Sequence, residues 1–221
     1  MSTAWDKRAR FYDLCEGSDL RRGPAKEVLF REMAGRVLFV AVGTGIDIKR
    51  FPIGREIFAI DISESMLRRA DARRRKYVGS LHFVQADALN LCFPDASFDT
   101  VVTSCTMCSV PDPRRAFDEL YRVLRPAGRL LMIEHMQSRN LILASMLNLM
   151  TLFTRRGGTE MNRNTLGNAM TAGFRITQVD SVFLDIILSI RAGKASNQTQ
   201  SIDNISSERS LSSAIGNLGV R

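Results

Sequence analysis

The sequence predicts an α/β fold, in which a doubly wound, mostly parallel sheet ends in a C-terminal antiparallel hairpin. Three observations indicate this class. Short runs rich in β-branched and aromatic residues alternate with longer helical patterns along most of the chain. The run "RVLFVAV" at 36–42 is continuously apolar, as expected for a strand that is buried on both faces of a parallel sheet. Two strand-like runs, at 175–183 and 185–192, follow one another without a helix between them, which favours a hairpin.

The remaining strands and helices alternate in order. Further strands are predicted at 56–61, 81–87, 100–105 and 129–135. One helix follows Ser63, a residue type that caps helix N-termini, and runs through a basic stretch. A second helix covers 111–124 and ends before Pro126 and Gly128, and a third covers 162–174.

Composition divides the chain into three regions. Residues 1–35 are predicted to be helical, with an interruption at Gly23 and Pro24. Residues 36–192 form the α/β domain. Residues 193–221 are rich in Ser and Asn and poor in aromatic residues, a composition typical of a flexible polar tail.

The most apolar segment is "LILASMLNLMTLF" at 141–153. Ala144, Asn148, Thr151 and Arg155 fall on one narrow helical stripe, and apolar residues cover the rest of the circumference. The segment is shorter than the ~18 residues that a membrane-spanning helix needs. Three interpretations stay open: a buried helix, which we favour, a lid over an apolar pocket, or a helix at a membrane interface.

Charge and cysteine content limit the compartment and the partners. The formal net charge of +8 allows attraction to nucleic acid, to an anionic membrane face or to an acidic substrate, or simply a basic surface. The N-terminal residues lack a signal-peptide apolar region, so we expect a cytoplasmic protein with free thiols. Cys105 and Cys108 form a C-x-x-C pair without a second ligand pair, so no metal site is expected.

The run "VLFVAVGTGID" at 37–47 has the shape of a strand that leads into a nucleotide-binding loop. A dinucleotide loop of the G-x-G-x-x-G type would have its third glycine where Ile48 stands. The Gly-Lys-Ser/Thr of a P-loop is absent as well. Neither NAD nor ATP is therefore the best fit.

Motifs in a fixed order between residues 37 and 135 resemble those of class I S-adenosylmethionine-dependent methyltransferases, in the methyltransferase type 11 group. They are "AVGTG" at 41–45, "AIDISESML", "VQADAL", "FPDASFDTVV" and "RVLRPAGRLLMIEH". Within the family, the text around "SVPDP" and "EH" is similar to phospholipid N-methyltransferases, to their alkyl-thiol relatives and to ubiquinone/menaquinone C-methyltransferases. The later "NRNTL" resembles the last group. The resemblance implies a Rossmann-like fold, S-adenosylmethionine as cofactor, and an N-terminal lid within residues 1–35.

The resemblance also implies a cofactor site. Gly43 and Gly45 would let the backbone approach the methionine part of the cofactor, and nearby amides suit its carboxylate. Asp61 would accept hydrogen bonds from two ribose hydroxyls. Asp87 would accept from the adenine amino group, with the Ala88 amide at a ring nitrogen. The full expected set is Ala41, Gly43, Thr44, Gly45, Asp61, Ile62, Met66, Asp87, Ala88 and Ser104, with Ile62 and Met66 as apolar walls of the adenine.

Two positions depart from the family pattern. Phe39 stands where the family has an acidic residue, and Ala41 stands where it has glycine. The missing carboxylate removes one polar partner of the amino-acid end of the cofactor. Alanine costs little at position 41 if the backbone there is extended, but not if φ is positive. We expect binding to survive in weakened form.

Methyl transfer from a sulfonium is an in-line displacement on an activated carbon, so alignment and exclusion of water are the main tasks of the protein. His135, at the end of the fifth predicted strand, is the candidate base or substrate-orienting residue. Tyr12, in "RFYDL", resembles the family's lid and is expected to cover the methyl donor.

The acceptor is expected to be a small or lipid-like molecule. A basic N-terminal segment and the apolar 141–153 helix would allow peripheral contact with an anionic membrane face. This favours a phosphatidylethanolamine-type headgroup amine over a quinone ring carbon or another small thiol or amine. Nucleic acid is not expected, because no basic accessory region with interleaved aromatic residues is present. The alternative from another class is a non-catalytic scaffold that keeps the fold, which Phe39 and Ala41 motivate.

Overall fold

A computed structural model of the chain describes residues 5–7, 9, 13 and 22–194. The strands are β1 Arg36–Val40, β2 Glu56–Asp61, β3 Ser80–Gln85, β4 Phe98–Ser104, β5 Leu124–His135, β6 Phe174–Phe183 and β7 Ile187–Lys194. Within the described residues they form one seven-stranded sheet in the order β3-β2-β1-β4-β5-β7-β6. The pairs among β1 to β5 are parallel, and β7 lies antiparallel to both β5 and β6. The predicted fold class is confirmed.

One helix precedes the sheet and the others lie between its strands. They are α1 Arg22–Phe30, α2 Glu64–Arg74, α3 Pro113–Val123, α4 Leu141–Thr154 and α5 Thr165–Thr171, with short 3-10 helices at Ile46–Arg50 and Arg155–Gly157. Ser63 caps α2 as predicted, because its hydroxyl oxygen accepts a hydrogen bond from the Met66 amide at 3.2 Å.

The core lies on both faces of the sheet. Leu38 and Val40 of β1 belong to one buried cluster, and Val37 and Phe39 belong to the other. Successive side chains of a strand point to opposite faces, so this division follows directly from the continuous apolar run of β1.

The helical segment predicted before β1 is present as α1. Residues 14–21, on the other side of the predicted interruption, lie outside the described part of the chain, so the interruption stays a prediction. Gly23 and Pro24 lie within the first turn of α1, which begins at Arg22. Proline is tolerated there because the first amides of a helix have no partner inside the helix.

The fifth predicted strand, 129–135, is present, but its predicted start is wrong, because β5 follows α3 directly at Leu124. Phe98 of β4 pairs with Leu124, and the next paired residue of β4, Thr100, lies opposite Arg129. The residues between Leu124 and Arg129 form an irregularity in the strand. Pro126 lies there, and a proline is accommodated because it has no amide to donate to a neighbouring strand.

Several element boundaries differ from the prediction by a few residues. The helix expected at 162–174 is α5, and Asn164 caps it through a hydrogen bond from the Gly167 amide. The last strand reaches Lys194, two residues beyond the predicted end of the domain. The rest of the predicted tail lies outside the described residues.

The favoured interpretation of the 141–153 segment is wrong. The segment does form a helix, α4, but only Leu147 and Thr151 in it are buried. Phe153, for example, exposes 71% of its surface. The composition correctly predicted an apolar helix, but it could not predict whether that helix is buried or exposed.

Candidate functional site

The loop after β1 turns through three residues with positive φ. These are Ala41 at 57°, Gly43 at 56° and Gly45 at 80°. The Val42 amide donates to the carbonyl oxygen of Ile60 in β2 at 2.9 Å, which fixes the loop against the neighbouring strand. Ala41 is therefore not in the extended conformation in which alanine costs little, and a side chain there is strained.

Gly45 is needed for packing. A Cβ at this position would lie 2.6 Å from Cδ1 of Ile48 and 3.0 Å from Cβ of Ala70 in α2. Neither Gly45 nor its neighbour Thr44 lines the cleft described below. Thr44 instead donates from its hydroxyl to Oδ1 of Asp13 at 2.5 Å. For these two positions, contact with the cofactor remains a prediction that this geometry does not support.

Phe39 belongs to the core. Its ring lies 5.6 Å from that of Phe30 and 4.8 Å from that of Phe51, centroid to centroid. A carboxylate is nevertheless present near the carboxyl end of β4. Asp47 is buried, accepts at 2.9 Å on both oxygens from Nζ of Lys26, and accepts at 2.9 Å from the hydroxyl of Ser104.

Asp61, the last residue of β2, is held by two backbone amides. Its Oδ2 accepts from the Gly43 amide at 2.8 Å, and its Oδ1 accepts from the Ser63 amide at 2.9 Å. Burial raises the pKa of Asp61, and these amide hydrogen bonds oppose the rise. The carboxylate thus connects the glycine loop to the N-terminus of α2 and keeps further acceptor capacity, since each oxygen has two lone pairs.

A cleft opens at the carboxyl ends of β1, β2 and β4, the edge of such a sheet at which ligands bind. Eight of the ten expected cofactor residues line it, and they are Ala41, Gly43, Asp61, Ile62, Met66, Asp87, Ala88 and Ser104. Asp87 is fixed by the Leu89 amide, which donates to its Oδ1 at 2.9 Å. The two charged side chains among the described lining residues, Asp61 and Asp87, are both carboxylates.

The loop after β4 forms the other side of the cleft. Sequence reasoning had not assigned Thr106, Ser109, Val110 and Pro111 to the site, and all four line it. Only their position after a parallel strand could have signalled this. Glu134 of β5 fixes the loop: its carboxylate accepts from the amides of Thr106 at 3.0 Å and Met107 at 3.1 Å.

The cysteines beside the cleft are ordinary thiols. Burial raises the pKa of Cys105 to about 11 and raises that of Cys108 further. Both side chains are therefore protonated at neutral pH, and neither is an activated nucleophile. Cys92, Cys105 and Cys108 are free, and the described residues contain no group of three or more potential metal ligands.

Of the two expected catalytic residues, only His135 belongs to the described part of the chain, and it does not reach the cleft. His135 ends β5, pairs with Ile187 of β7, and does not line the cleft; its carbonyl oxygen accepts from the Thr165 hydroxyl at 3.2 Å. Tyr12 lies outside the described residues. Trp5, from the same N-terminal region, does line the cleft, and sequence reasoning had not singled it out.

The N-terminal region is attached to the rim by carboxylates. Asp6 accepts from the Ser63 hydroxyl at 2.5 Å, and this hydrogen bond lowers the pKa of Asp6. Asp13 pairs with Arg73 of α2 at 2.7 Å, in addition to its hydrogen bond with Thr44. These contacts hold Asp6 and Asp13 against the N-cap and the body of α2, while Trp5 lines the cleft; the lid itself stays a prediction.

The lining residues fit the chemistry of S-adenosylmethionine. Asp61 suits the ribose hydroxyls, Asp87 suits an amino group, and the apolar side chains of Ile62 and Met66 suit a flat ring.

Comparison with known proteins gives the same answer. Residues 38–132 match the family model described as a methyltransferase domain. The chain is 39% identical over 124 residues to a demethylmenaquinone methyltransferase of Thermus thermophilus, an alignment covering 53% of this chain and 56% of that protein. It is 36% identical over 138 residues to a phosphatidylethanolamine N-methyltransferase of Cereibacter sphaeroides, covering 58% and 65%. In both cases the chain spans less than two thirds of the length of the relative.

Solved structures share the fold. A methyltransferase from Thermotoga maritima, described as a possible histamine N-methyltransferase, superposes with a TM-score of 0.63 at 22% identity and covers 86% of this chain and all of that one. The expected resemblance to the methyltransferase family is confirmed over residues 38–132, which its model matches. The match indicates S-adenosylmethionine as the cofactor. No helix in the described part of the chain has the length and apolar character to cross a membrane.

Proposed function

We propose that the chain transfers the methyl group of S-adenosylmethionine to a lipid-like acceptor, and that this acceptor is a phosphatidylethanolamine-type headgroup amine. The sulfonium supplies an activated methyl carbon. The acceptor nitrogen forms a bond to that carbon as the carbon–sulfur bond breaks, and the neutral thioether product leaves. The chain's own residues hold the adenosine, orient the acceptor and exclude water.

One observation favours an amine over a ring carbon. Among the described residues that line the cleft there is no His, Lys, Glu or Tyr, and the two carboxylates, Asp61 and Asp87, are the ones assigned to the adenosine. Methylation of a ring carbon leaves a C–H proton that a base inside the site must remove. An amine loses its proton to solvent before it attacks, so it needs no such base.

A quinone ring carbon is the second candidate, because the Thermus thermophilus relative is named as a demethylmenaquinone methyltransferase and is the more similar of the two relatives. If this candidate is right, a base must reach the acceptor, and His135 is the residue predicted for that role.

The two acceptors can be separated with labelled S-adenosylmethionine. Purified protein is incubated with vesicles that contain phosphatidylethanolamine, and separately with a demethylated quinone in detergent. We expect label in the phospholipid, at a rate that rises with pH as more of the amine is unprotonated, and an unchanged rate for His135→Gln. Label only in the quinone, with loss of activity in His135→Gln, would contradict the amine proposal.

A further inference from the structure

The outward side of α4 carries large apolar side chains that no described residue covers. Leu141 exposes 82% of its surface, Ile142 80%, Leu152 66% and Phe153 71%. A contiguous apolar surface of this kind marks an interaction site when it occurs on a folded protein. We call it the α4 apolar face, and define it as Leu141, Ile142, Met146, Leu149, Met150, Leu152 and Phe153.

In the described part of the chain, the opposite side of the helix contacts the domain. Thr151 is buried, and its hydroxyl oxygen accepts from the Met161 amide at 3.2 Å. Asn148 accepts at 2.9 Å from the side-chain amide of Asn162. The apolar face therefore points away from the domain, and its exposure follows from how the helix is attached.

Arginines lie at both ends of this face. Arg139 precedes the helix, Arg155 and Arg156 follow it, and all three are exposed. The chain has no Asp or Glu between residues 136 and 159. Two carboxylates contact residues at the ends of the helix. The Glu160 carboxylate lies 3.4 Å from the Arg155 guanidinium and 3.2 Å from that of Arg163, and the Asp185 carboxylate accepts from the Arg139 amide.

We propose that the α4 apolar face docks on the surface of an anionic lipid bilayer. Apolar side chains would enter the interface while the arginines at both ends reach the headgroups. The helix is too short to cross the membrane, so it would lie in the plane of the surface.

The charges disfavour a second copy of the chain as the occupant. Because both ends of α4 are basic, two copies of the face would bring arginines together in parallel and in antiparallel pairing alike. Like charges brought together at an interface oppose association.

The position of α4 gives docking a consequence for the site. The Glu160 amide, just beyond the helix, donates to the carbonyl oxygen of Cys108 at 2.8 Å. Cys108 belongs to the loop after β4 that lines the cleft at Ser109 and Pro111. A membrane under α4 would therefore lie next to the loop that faces the acceptor, and this part of the inference rests on the proposed function.

Vesicle sedimentation tests the docking. Full-length protein is mixed with vesicles of phosphatidylcholine alone or with phosphatidylglycerol, without cofactor, phosphatidylethanolamine or quinone. We expect binding to the anionic vesicles, and a loss of about tenfold or more in Leu152→Glu/Phe153→Glu, since each change removes a large apolar side chain from the interface. Removing Arg155 and Arg156 as the Gln variants should cost about fivefold for each arginine on anionic vesicles.

A matched control is available. Ile53 and Val78 are also exposed, at 75% and 66%, and lie elsewhere on the domain. Ile53→Glu/Val78→Glu makes the same change in net charge and should bind vesicles like the parent chain. Equal binding by both double variants, or no binding by the parent chain, would overturn the proposal.

Two further outcomes are informative. Size-exclusion chromatography can show that a second copy covers the face. If the parent chain elutes as a dimer and Leu152→Glu/Phe153→Glu elutes as a monomer, the lipid proposal is overturned. Because binding is measured without methyl transfer, a chain that binds vesicles but methylates no amine contradicts the proposed function alone. A chain that methylates phosphatidylethanolamine in detergent but binds no vesicles contradicts the docking alone.

Discussion

Replacement of Glu134 is expected to remove a pH-dependent loss of stability. The side chain is fully buried, and its carboxylate accepts hydrogen bonds from the amides of Thr106 and Met107. Burial raises the pKa of Glu134 from its ordinary 4.5 to about 7, and the amide hydrogen bonds only partly oppose this.

The sign follows from proton linkage. The folded-state pKa is raised, so the folded protein keeps this proton in a range of pH where the unfolded chain has lost it. The corresponding stability is full below pH 4.5 and declines until about pH 7, above which it is constant. At about 1.4 kcal/mol per pKa unit, the total decline is about 3 kcal/mol.

Urea unfolding of the wild type, Glu134→Gln and Glu134→Leu, from about pH 4.5 to about pH 8, measures this decline. The two variants will differ from each other in stability, because Gln and Leu satisfy the two amides differently. Neither titrates, so the wild type should lose about 3 kcal/mol relative to each of them as pH rises. A difference between the wild type and the variants that does not change with pH would refute this reasoning.

Two other substitutions test the glycine loop and its surroundings. Ala41→Gly should raise the free energy of unfolding by about 1 kcal/mol, because glycine adopts positive φ without strain; Ala88→Gly, where φ is not positive, should lower it, and thermal or urea unfolding of both compares them. Lys26→Met should cost about 3 kcal/mol, because it leaves Asp47 buried with the more distant Arg50 at 3.5 Å. In the double variant with Asp47→Leu the loss should be smaller than in Lys26→Met alone, and a loss equal to the sum of the single changes would contradict the pairing.

Much of the fold could be predicted because its signals are local. The continuous apolar run of β1 and the cap at Ser63 depend on the residues themselves. The exposure of α4 could not be predicted, because composition does not distinguish an apolar helix that is buried in a protein from one that lies on its surface. The irregularity that accommodates Pro126 in β5 depends on the register with β4, and the sequence alone does not show which strand pairs with β5.

The parts of the site that follow from the topology of a parallel sheet could be predicted, and the parts that depend on local geometry could not. Parallel strands bring their carboxyl ends to one edge of a sheet, so Asp61 and Asp87 could be placed together from sequence. The alternation of side chains along a strand explains why the prediction that His135 lies at the cleft was wrong. Its neighbour Glu134 points toward the loop after β4, so His135 faces the other side of the sheet. The positive φ of Ala41 arises from the loop as a whole and has no signal in the residue.

The most direct test of the account is calorimetric titration of the protein with S-adenosylmethionine. We expect one cofactor bound per chain, and affinity at least about tenfold weaker in Asp61→Asn and in Asp87→Asn, because each change removes a charged acceptor from the adenosine site. Glu64→Gln, on the exposed surface of α2, serves as the control and should bind like the wild type. Unchanged affinity in both Asp variants would contradict the cofactor site. An absence of binding to the wild type would contradict the whole account and favour the non-catalytic scaffold.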